Sequence, residues 1–329
     1  MNTFGKAFRI GIFGESHGVA IGVTVDGCPS GLALSEDDLI PDLQRRRSGA
    51  KGTTPRKEED LPEIVSGCFK GYTTGAPITI LFRNSNVKSS DYDNLLTTPR
   101  PSHSDFAAWK RFKGFNDPRG GGHFSGRLTL TLVAAGVIAK KILGTININA
   151  RLIAAGGSAD IEQTISNALE AGDSVGGLVE CRAGNIPVGW GEPFFDSVES
   201  VISHLAFAIP AIKGIEFGSG FAAASMKGSQ HNDPILDHSG KTASNNAGGI
   251  TGGLTNGNEI FFRVAVKPTS SISIPQKTFS IKSNKLETLE VKGRHDACIA
   301  LRVPVVLEAI TAIALADFKL ITEKRELSL

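Results

Sequence analysis

Three histidines stand in polar, turn-rich contexts. His17 lies in Gly14-Glu15-Ser16-His17-Gly18, His103 in Arg100-Pro101-Ser102-His103-Ser104-Asp105, and His295 in Gly293-Arg294-His295-Asp296. Imidazole titrates nearest neutral pH, so these side chains are the natural proton donors and acceptors of the chain. An isolated histidine is usually structural or merely exposed, but His103 and His295 each have an Arg and an Asp within three residues. Arginines gather near the same places: Arg45-Arg46-Arg47, Arg100, Arg119, Arg127 and Arg294. Guanidinium forks suit phosphate and carboxylate groups. Gly120-Gly121-Gly122 lets backbone amides come close to an anion. Lys267-Pro268-Thr269-Ser270-Ser271 places a cation and several hydroxyls at the end of a strand, which suits a phosphate or a plain polar turn. Together these residues point to a small, multiply anionic substrate or cofactor, with histidines to move protons.

Other chemistries fail on spacing. None of the seven histidines stands in HxxxH, HExxH or a Cys/His pairing at ligand distance, so no metal site is expected. Gly240-Lys241-Thr242 ends like a phosphate-binding loop, yet Ile235 occupies the position of its first glycine. Gly218-Ser219-Gly220-Phe221-Ala222-Ala223 imitates a dinucleotide fingerprint, but Gly228 and Pro234 leave little room for the helix that must follow. The four cysteines form no CxxC pair, which argues against structural zinc or a disulfide framework and fits a reducing cytoplasm. Net charge is +2, so nothing global favours nucleic acid or an acidic membrane. Residues 1–6 lack a signal-peptide pattern, and no unbroken apolar run reaches the ~18 residues of a membrane span. The longest, 132–139, ends at Lys140-Lys141.

The elements that must position these groups alternate between strand and helix. Residues 19–26, 77–83 and 260–266 read as strands, being apolar and β-branched. Ser35 before Glu36-Asp37-Asp38 marks a helix start, although Pro41 should kink or shorten that helix. Residues 128–143 and 303–318 read as buried helices. Residues 45–60, dense in charges with Gly, Ser, Thr and Pro, read as a mobile basic loop, either a lid or only a solvated loop.

The chain of 329 residues is long for one simple core, and it resembles itself. Gly14-Glu15-Ser16-His17-Gly18 matches Gly172-Asp173-Ser174-Val175-Gly176, and Pro29-Ser30-Gly31 matches Pro187-Val188-Gly189 at the same offset. Leu39, Ile40 and Leu43 match Val201, Ile202 and Leu205; Gly71–Gly75 matches Gly249–Gly253; Arg119 and Arg127 match Arg294 and Arg302. A duplication is expected, in a single domain with halves of roughly 1–145 and 165–329 about a pseudo-twofold axis. A site between them would draw on both.

Taken in order, Gly14-Glu15-Ser16-His17-Gly18, Arg45-Arg46-Arg47, Thr73-Thr74-Gly75-Ala76-Pro77-Ile78, Arg100-Pro101-Ser102-His103, Arg119-Gly120-Gly121-Gly122, Lys267-Pro268-Thr269-Ser270-Ser271 and Gly293-Arg294-His295-Asp296 resemble the chorismate synthase family over nearly the whole chain. The resemblance implies an α+β fold, a βαβ sandwich with internal pseudo-symmetry, and usually a homotetramer. It implies 1,4-anti elimination of phosphate from 5-enolpyruvylshikimate-3-phosphate to give chorismate. Reduced FMN is required, although the reaction is redox-neutral. By matching motifs, His17 is the acid near flavin and phosphate, His103 the second proton-handling group, and Asp296 an aid at the flavin. Ser16 and Ser125 are proton relays. Arg46, Arg100 and Arg127 are substrate ligands. His123, Phe124, Ser125, Ala211, Gly252, Lys267, Pro268, Thr269, Ser270, Ser271 and Arg294 fall on flavin-contacting segments.

Some positions depart from the family's commonest pattern. His123-Phe124-Ser125-Gly126-Arg127 replaces Arg-Ser-Ser-Ala-Arg, which leaves backbone contacts as the flavin contacts to expect at His123 and Phe124. Pro210-Ala211 replaces Asn-Ala and removes an amide side chain from the flavin pocket. Two alternatives stand beside the lyase. One is a non-catalytic flavin- or anion-binding relative; the other is a bifunctional enzyme that also reduces flavin with NADPH. The chain has little room for an added reductase module, so FMN reduced by an external flavin reductase is expected. His204, His231 and His238 lie outside every motif. Their replacement by Ala is predicted to leave turnover within about twofold of wild type, as for ordinary surface substitutions; steady-state assay of the three variants checks this.

Overall fold

The computed structural model describes residues 2–49, 51–53, 59–84, 95, 97–291 and 295–326. Two antiparallel sheets carry the molecule. The first contains β1 (Thr3–Phe4), β2 (Arg9–Gly14), β3 (Ala20–Asp26), β4 (Pro62–Ser66) and β7 (Ile78–Arg83), in the order β1-β2-β3-β7-β4. Between β4 and β7 lies the small hairpin β5 (Cys68–Phe69) and β6 (Tyr72–Thr73). The second sheet contains β8 (Asn147–Ala155), β9 (Gly177–Gly184), β10 (Ile212–Phe217) and β13 (Ile260–Val266), in the order β10-β13-β9-β8. Its own small hairpin is β11 (Ile250–Thr251) and β12 (Leu254–Thr255), and a separate hairpin, β14 (Gln276–Ser280) and β15 (Lys285–Leu289), follows. Alternation decides which face is buried: Ile21, Val23 and Val25 on β3 and Ile260, Phe262 and Val264 on β13 are fully buried.

Helices fill the space between the sheets. α1 (Glu36–Arg46) packs on α3 (Thr129–Leu143), α3 on the long α7 (Val303–Glu326), and α7 on α5 (Val198–Ala206). α3 lies against β2 and β3, and α7 against β8 and β9. With a sheet on one side and a helix on the other, α3 is buried nearly all round, which explains its unbroken apolar sequence. Gly136 marks the closest approach: a Cβ there would stand 2.4 Å from Ala309 Cβ. The short α2 (Asp105–Arg111), α4 (Ile161–Glu170) and α6 (Gly228–His231) lie in connections.

The two halves follow one plan: a strand pair, a helix, a third strand, a small hairpin, a fourth strand, then a central helix. The match reaches single hydrogen bonds. Thr73 Oγ1 donates to Pro29 O (2.7 Å) and accepts from Leu32 N (2.9 Å); Thr255 Oγ1 donates to Pro187 O (2.6 Å) and accepts from Trp190 N (2.9 Å). The register differs from the sequence match at one place. Gly67, Gly71 and Gly75 correspond to Gly249, Gly253 and Gly257, all with φ between +78° and +87°, so Gly71 pairs with Gly253 rather than Gly249. The first strand of the second sheet, Asn147–Ala155, precedes residue 165.

Three further expectations are revised. α1 runs through Pro41 to Arg46, because Leu39 and Leu43 are fully buried and that packing outweighs one lost backbone bond. The start of the 45–60 stretch is helix, not solvated loop: Arg45 donates to both Glu308 oxygens (2.7 and 2.6 Å) and Arg46 is buried. Residues 54–58 lie outside those described. The last helix extends beyond residue 318 to Glu326. It is long and apolar enough to cross a membrane by length and composition, but most of its apolar window is buried inside the protein.

Buried polar contacts join chain start to chain end. The Asp317 carboxylate on α7 accepts from Lys6 N, Ala7 N (2.6 Å) and Phe8 N (2.8 Å). Glu308 also accepts from Lys140 Nζ (3.1 Å) and Ala150 N (3.0 Å), tying α1, α3, α7 and β8 together. Asp317→Ala would orphan three backbone donors and is expected to cost about 3 kcal/mol of stability. Urea unfolding with an unchanged m-value checks this.

Candidate active site

Strand ends, turns and the starts of the two central helices meet at one end of the sheets. The turn at residues 15–18 joins β2 to β3 and is closed by Gly18 N donating to Glu15 O (3.0 Å). It carries His17, which is 5% exposed. Against it lies the turn Arg119–Phe124, in which Gly120, Gly121 and Gly122 take φ of +59°, +82° and +55°. Only glycine adopts three such conformations in succession without strain. A Cβ on Gly120 would stand 2.6 Å from the His17 ring and 2.8 Å from Ser16 Oγ, so the ring fits because no side chain is there. Ser16 N donates to Gly122 O (3.1 Å) and locks the two turns together.

His103 approaches the same glycines from another side: a Cβ on Gly121 would be 3.7 Å from its Cε1 and 3.8 Å from Ser125 Cβ. Asp105 Oδ1 lies 2.6 Å from His103 Nδ1, nearer than the donors Arg100 Nη2 (3.1 Å) and Asp105 N (3.3 Å). The shortest contact decides the tautomer: Nδ1 carries the proton toward the carboxylate, leaving Nε2 for proton exchange. Arg100 holds Asp105 with Nε (2.8 Å) and Nη2 (2.9 Å), and its Nη1 donates to Ser271 Oγ (3.0 Å). Burial pushes the Asp105 carboxyl up, but hydrogen bonds from Arg100 and His103 outweigh it and hold the group well below the usual carboxylate range.

A third group surrounds Arg46, which is 3% exposed. Its Nε donates to Thr129 Oγ1 (3.1 Å) and its Nη2 to Gly126 O (2.8 Å). Arg302 Nε donates to Arg46 O (3.1 Å). Arg127 donates to Asp60 Oδ1 (2.9 Å) and Asn84 Oδ1 (2.7 Å), while Arg302 lies 3.4 Å from Asp296. Burial, then the nearby Arg302, lowers the hold of Arg46 on its proton; Asp60 opposes this, Arg127 adds to it, and Asp296 opposes it. Burial likewise raises the Asp60 carboxyl against the pull of Arg46, Arg47 and Arg302. α3 and α7 both begin here, each after a one-turn 3₁₀ segment, Gly126–Leu128 and Ile299–Arg302. Three guanidiniums and two helix N-termini against two carboxylates leave a positive site for an anion.

The structure thus brings together His17, Ser16, His103, Ser125, Arg46, Arg100, Arg127 and Asp296. Ser125 caps the 3₁₀ turn, its Oγ accepting from Arg127 N (3.3 Å). Ala211 O accepts from Lys267 N (2.9 Å) at the end of the second sheet. From there Ser270 donates to Ser102 O (2.8 Å), so residues 267–271 dock beside His103. Burial and then Lys213 lower the Lys267 ammonium. Thr269 Oγ1 is buried and has no hydrogen-bond partner among the described residues. His123 is used otherwise: its ring nitrogens meet Gly14 O (2.8 Å) and Asn2 Oδ1 (3.1 Å). Phe124 is 40% exposed, with its ring near Phe112. Gly252 sits in the β11–β12 turn beside the start of α5, whereas Ala211 follows its end, roughly 13 Å of helix away. Arg294 lies outside the described residues. Among them no cluster of metal-ligating side chains occurs.

Reading the chain singled out neither Asp60 nor Asn84 as site residues, and it treated Arg302 only as a repeat of Arg127. The repeat was the available signal for Arg302. Nothing local marks Asp60 or Asn84, because their partners are distant in the chain.

A family model described as chorismate synthase matches residues 8–320. The chain belongs to the chorismate synthase family. A chorismate synthase of Chitinophaga pinensis is 63% identical over 98% of each chain. That of Dehalococcoides mccartyi is 46% identical, over 97% of this chain and 96% of its own. That of Korarchaeum cryptofilum is 44% identical over 96% of each. A chorismate synthase crystal structure superposes with TM-score 0.76 at 28% identity, covering 97% of this chain and 93% of the other. The α+β sandwich is therefore the chorismate synthase fold.

The Asp105 carboxyl is held lower in the folded chain than in the unfolded one. Its stabilising contribution is therefore full above the unfolded value of about 3.9 and is lost as pH falls below it. Asp105→Asn is expected to flatten the acid limb of the stability profile below about pH 4; urea midpoints measured from pH 7 to pH 3 check this.

Proposed function

We propose that this chain converts 5-enolpyruvylshikimate-3-phosphate to chorismate and phosphate, the last common step toward the aromatic amino acids, with reduced FMN required. The observation that carries the reading is the meeting of His17 and His103 at one glycine turn, beside a cluster with more cations than anions. In the reaction the C3–O bond to phosphate and the C6–H bond break and a C=C bond forms, with no net redox change. Arg46, Arg127 and Arg302, with the two helix N-termini, take up the substrate's negative groups and the charge that phosphate carries away. His17 gives a proton on the phosphate side. His103, fixed through Nδ1 by Asp105, exchanges a proton at Nε2, and Ser16 and Ser125 relay protons.

The chain fits the flavin on two counts. Residues 267–271 offer a cation and the buried Thr269 hydroxyl without a partner among the described residues, and the glycine turn has backbone but no side chains to present. Ala211, residues 267–271, Ser125 and the backbone at His123 and Phe124 would hold it, with Arg294, Asp296 and Gly252 contributing as in the family. Reduced FMN, when bound, supplies electron density for phosphate departure and a base for the C6 proton. The reading includes a cytoplasmic homotetramer supplied with reduced FMN by an external flavin reductase. In support, Gly218–Ala223 leads into the 3₁₀ segment Gly220–Ser225, not into the helix that a nicotinamide nucleotide fold needs.

The test mixes purified protein anaerobically with substrate and chemically reduced FMN. Equal release of chorismate and phosphate, dependent on reduced flavin, is expected. Folded, FMN-binding protein that releases neither product overturns the reading. His17→Ala is expected to lower kcat by roughly 10- to 10⁴-fold. Arg46→Ala is expected to raise KM more than it lowers kcat, as for lost uniform binding. Steady-state kinetics on both variants separates the two roles.

A further inference from the structure

We infer that Asn84 is a positioning residue: its side chain braces the turn that carries His17 and ties that turn to Arg127. Asn84 directly follows β7, and its backbone N donates to Val19 O (3.2 Å). Its Nδ2 donates to Glu15 O (3.1 Å) and to Gly18 O (2.8 Å), the two ends of the His17 turn. Its Oδ1 accepts from Arg127 Nε (2.7 Å), and Arg127 in turn pairs with Asp60 beside Arg46. One amide thus spans the turn with its donors and the anion cluster with its acceptor. Asparagine alone has this combination at this length: Asp has no donor when ionised, and Gln is one methylene too long.

The fold itself does not demand the residue. In the second half the corresponding position, paired with Gly177 as Asn84 is with Val19, is Val266, which has no polar side chain. The turn matching that of His17 there carries Val175. The histidine and its amide brace occur together in one half and are absent together from the other. An anion that engages Arg127 acts, through Asn84, on the turn that holds the proton donor.

The inference rests on His17 as a proton-handling group, and the test separates the two. Asn84→Asp keeps the acceptor for Arg127 and removes both donors to the turn. Its kcat is expected to fall ~10- to 100-fold with KM within ~3-fold of wild type, since the anion side is kept. In a His17→Ala background the same substitution is expected to cost under ~2-fold, because coupled residues are not additive. In flavin-free protein, the His17 ring proton resonances are expected to move in Asn84→Asp and Asn84→Ala while those of His204 stay. Equal losses in both backgrounds, or an unmoved His17 resonance, overturn the brace. A silent His17→Ala overturns the proton role of His17 alone, and the resonance measurement still decides on Asn84.

Discussion

The close approach of α3 and α7 sets the rest of the structure. At Gly136 a single methyl would collide with Ala309, so the two helices run side by side with backbones nearly touching. Each then buries its remaining faces against its own sheet and its own neighbouring helix. Because both helices start at the same end, their N-termini lie at one place. That place is where Arg46 is buried. A buried guanidinium costs several kcal/mol unless it is paired. Here Thr129, Gly126 O and Asp60 meet part of the need, while burial and the nearby Arg302 and Arg127 still work against its charge.

The repeated plan supplies the frame but not the chemistry. Equivalent positions diverge around the glycine turn: Val175 stands where the first half has His17, and Val266 where it has Asn84. Arg127 and Arg302 remain alike, each in the one-turn segment before a central helix, each with its own carboxylate, Asp60 and Asp296. The arginine–carboxylate pairs are therefore close to symmetric, and His17 and His103 are set to one side of them.

Much of the fold was legible in the chain. Strands 19–26, 77–83 and 260–266 stood out because alternating or continuous β-branched residues must be buried at period two. Helices 128–143 and 303–318 stood out because they are apolar all round, which requires cover on every side. The glycines shared by the two small hairpins stood out because turn residues are kept where backbone φ is positive. Pro41 misled because its local penalty is small beside the burial of Leu39 and Leu43. The 45–60 stretch misled because charge alone cannot distinguish a solvated loop from a buried ion cluster.

By itself, the sequence determined the residue types available for chemistry, the periodicities that make sheets and helices, and the turn residues that recur along the chain. Those follow from local patterning, which a chain carries wherever it goes. Only the tertiary structure decided that Asp105 contacts His103, that Arg45 pairs with Glu308 while Arg46 is buried against Thr129, and that His123 is taken up by Gly14 and Asn2. Each of those depends on which distant segments meet. Apart from the Asp105–His103 pair, whose geometry is set by its turn, the partners lie far apart in the chain. Their contacts exist only after the packing of the helices and sheets has closed the loops between them.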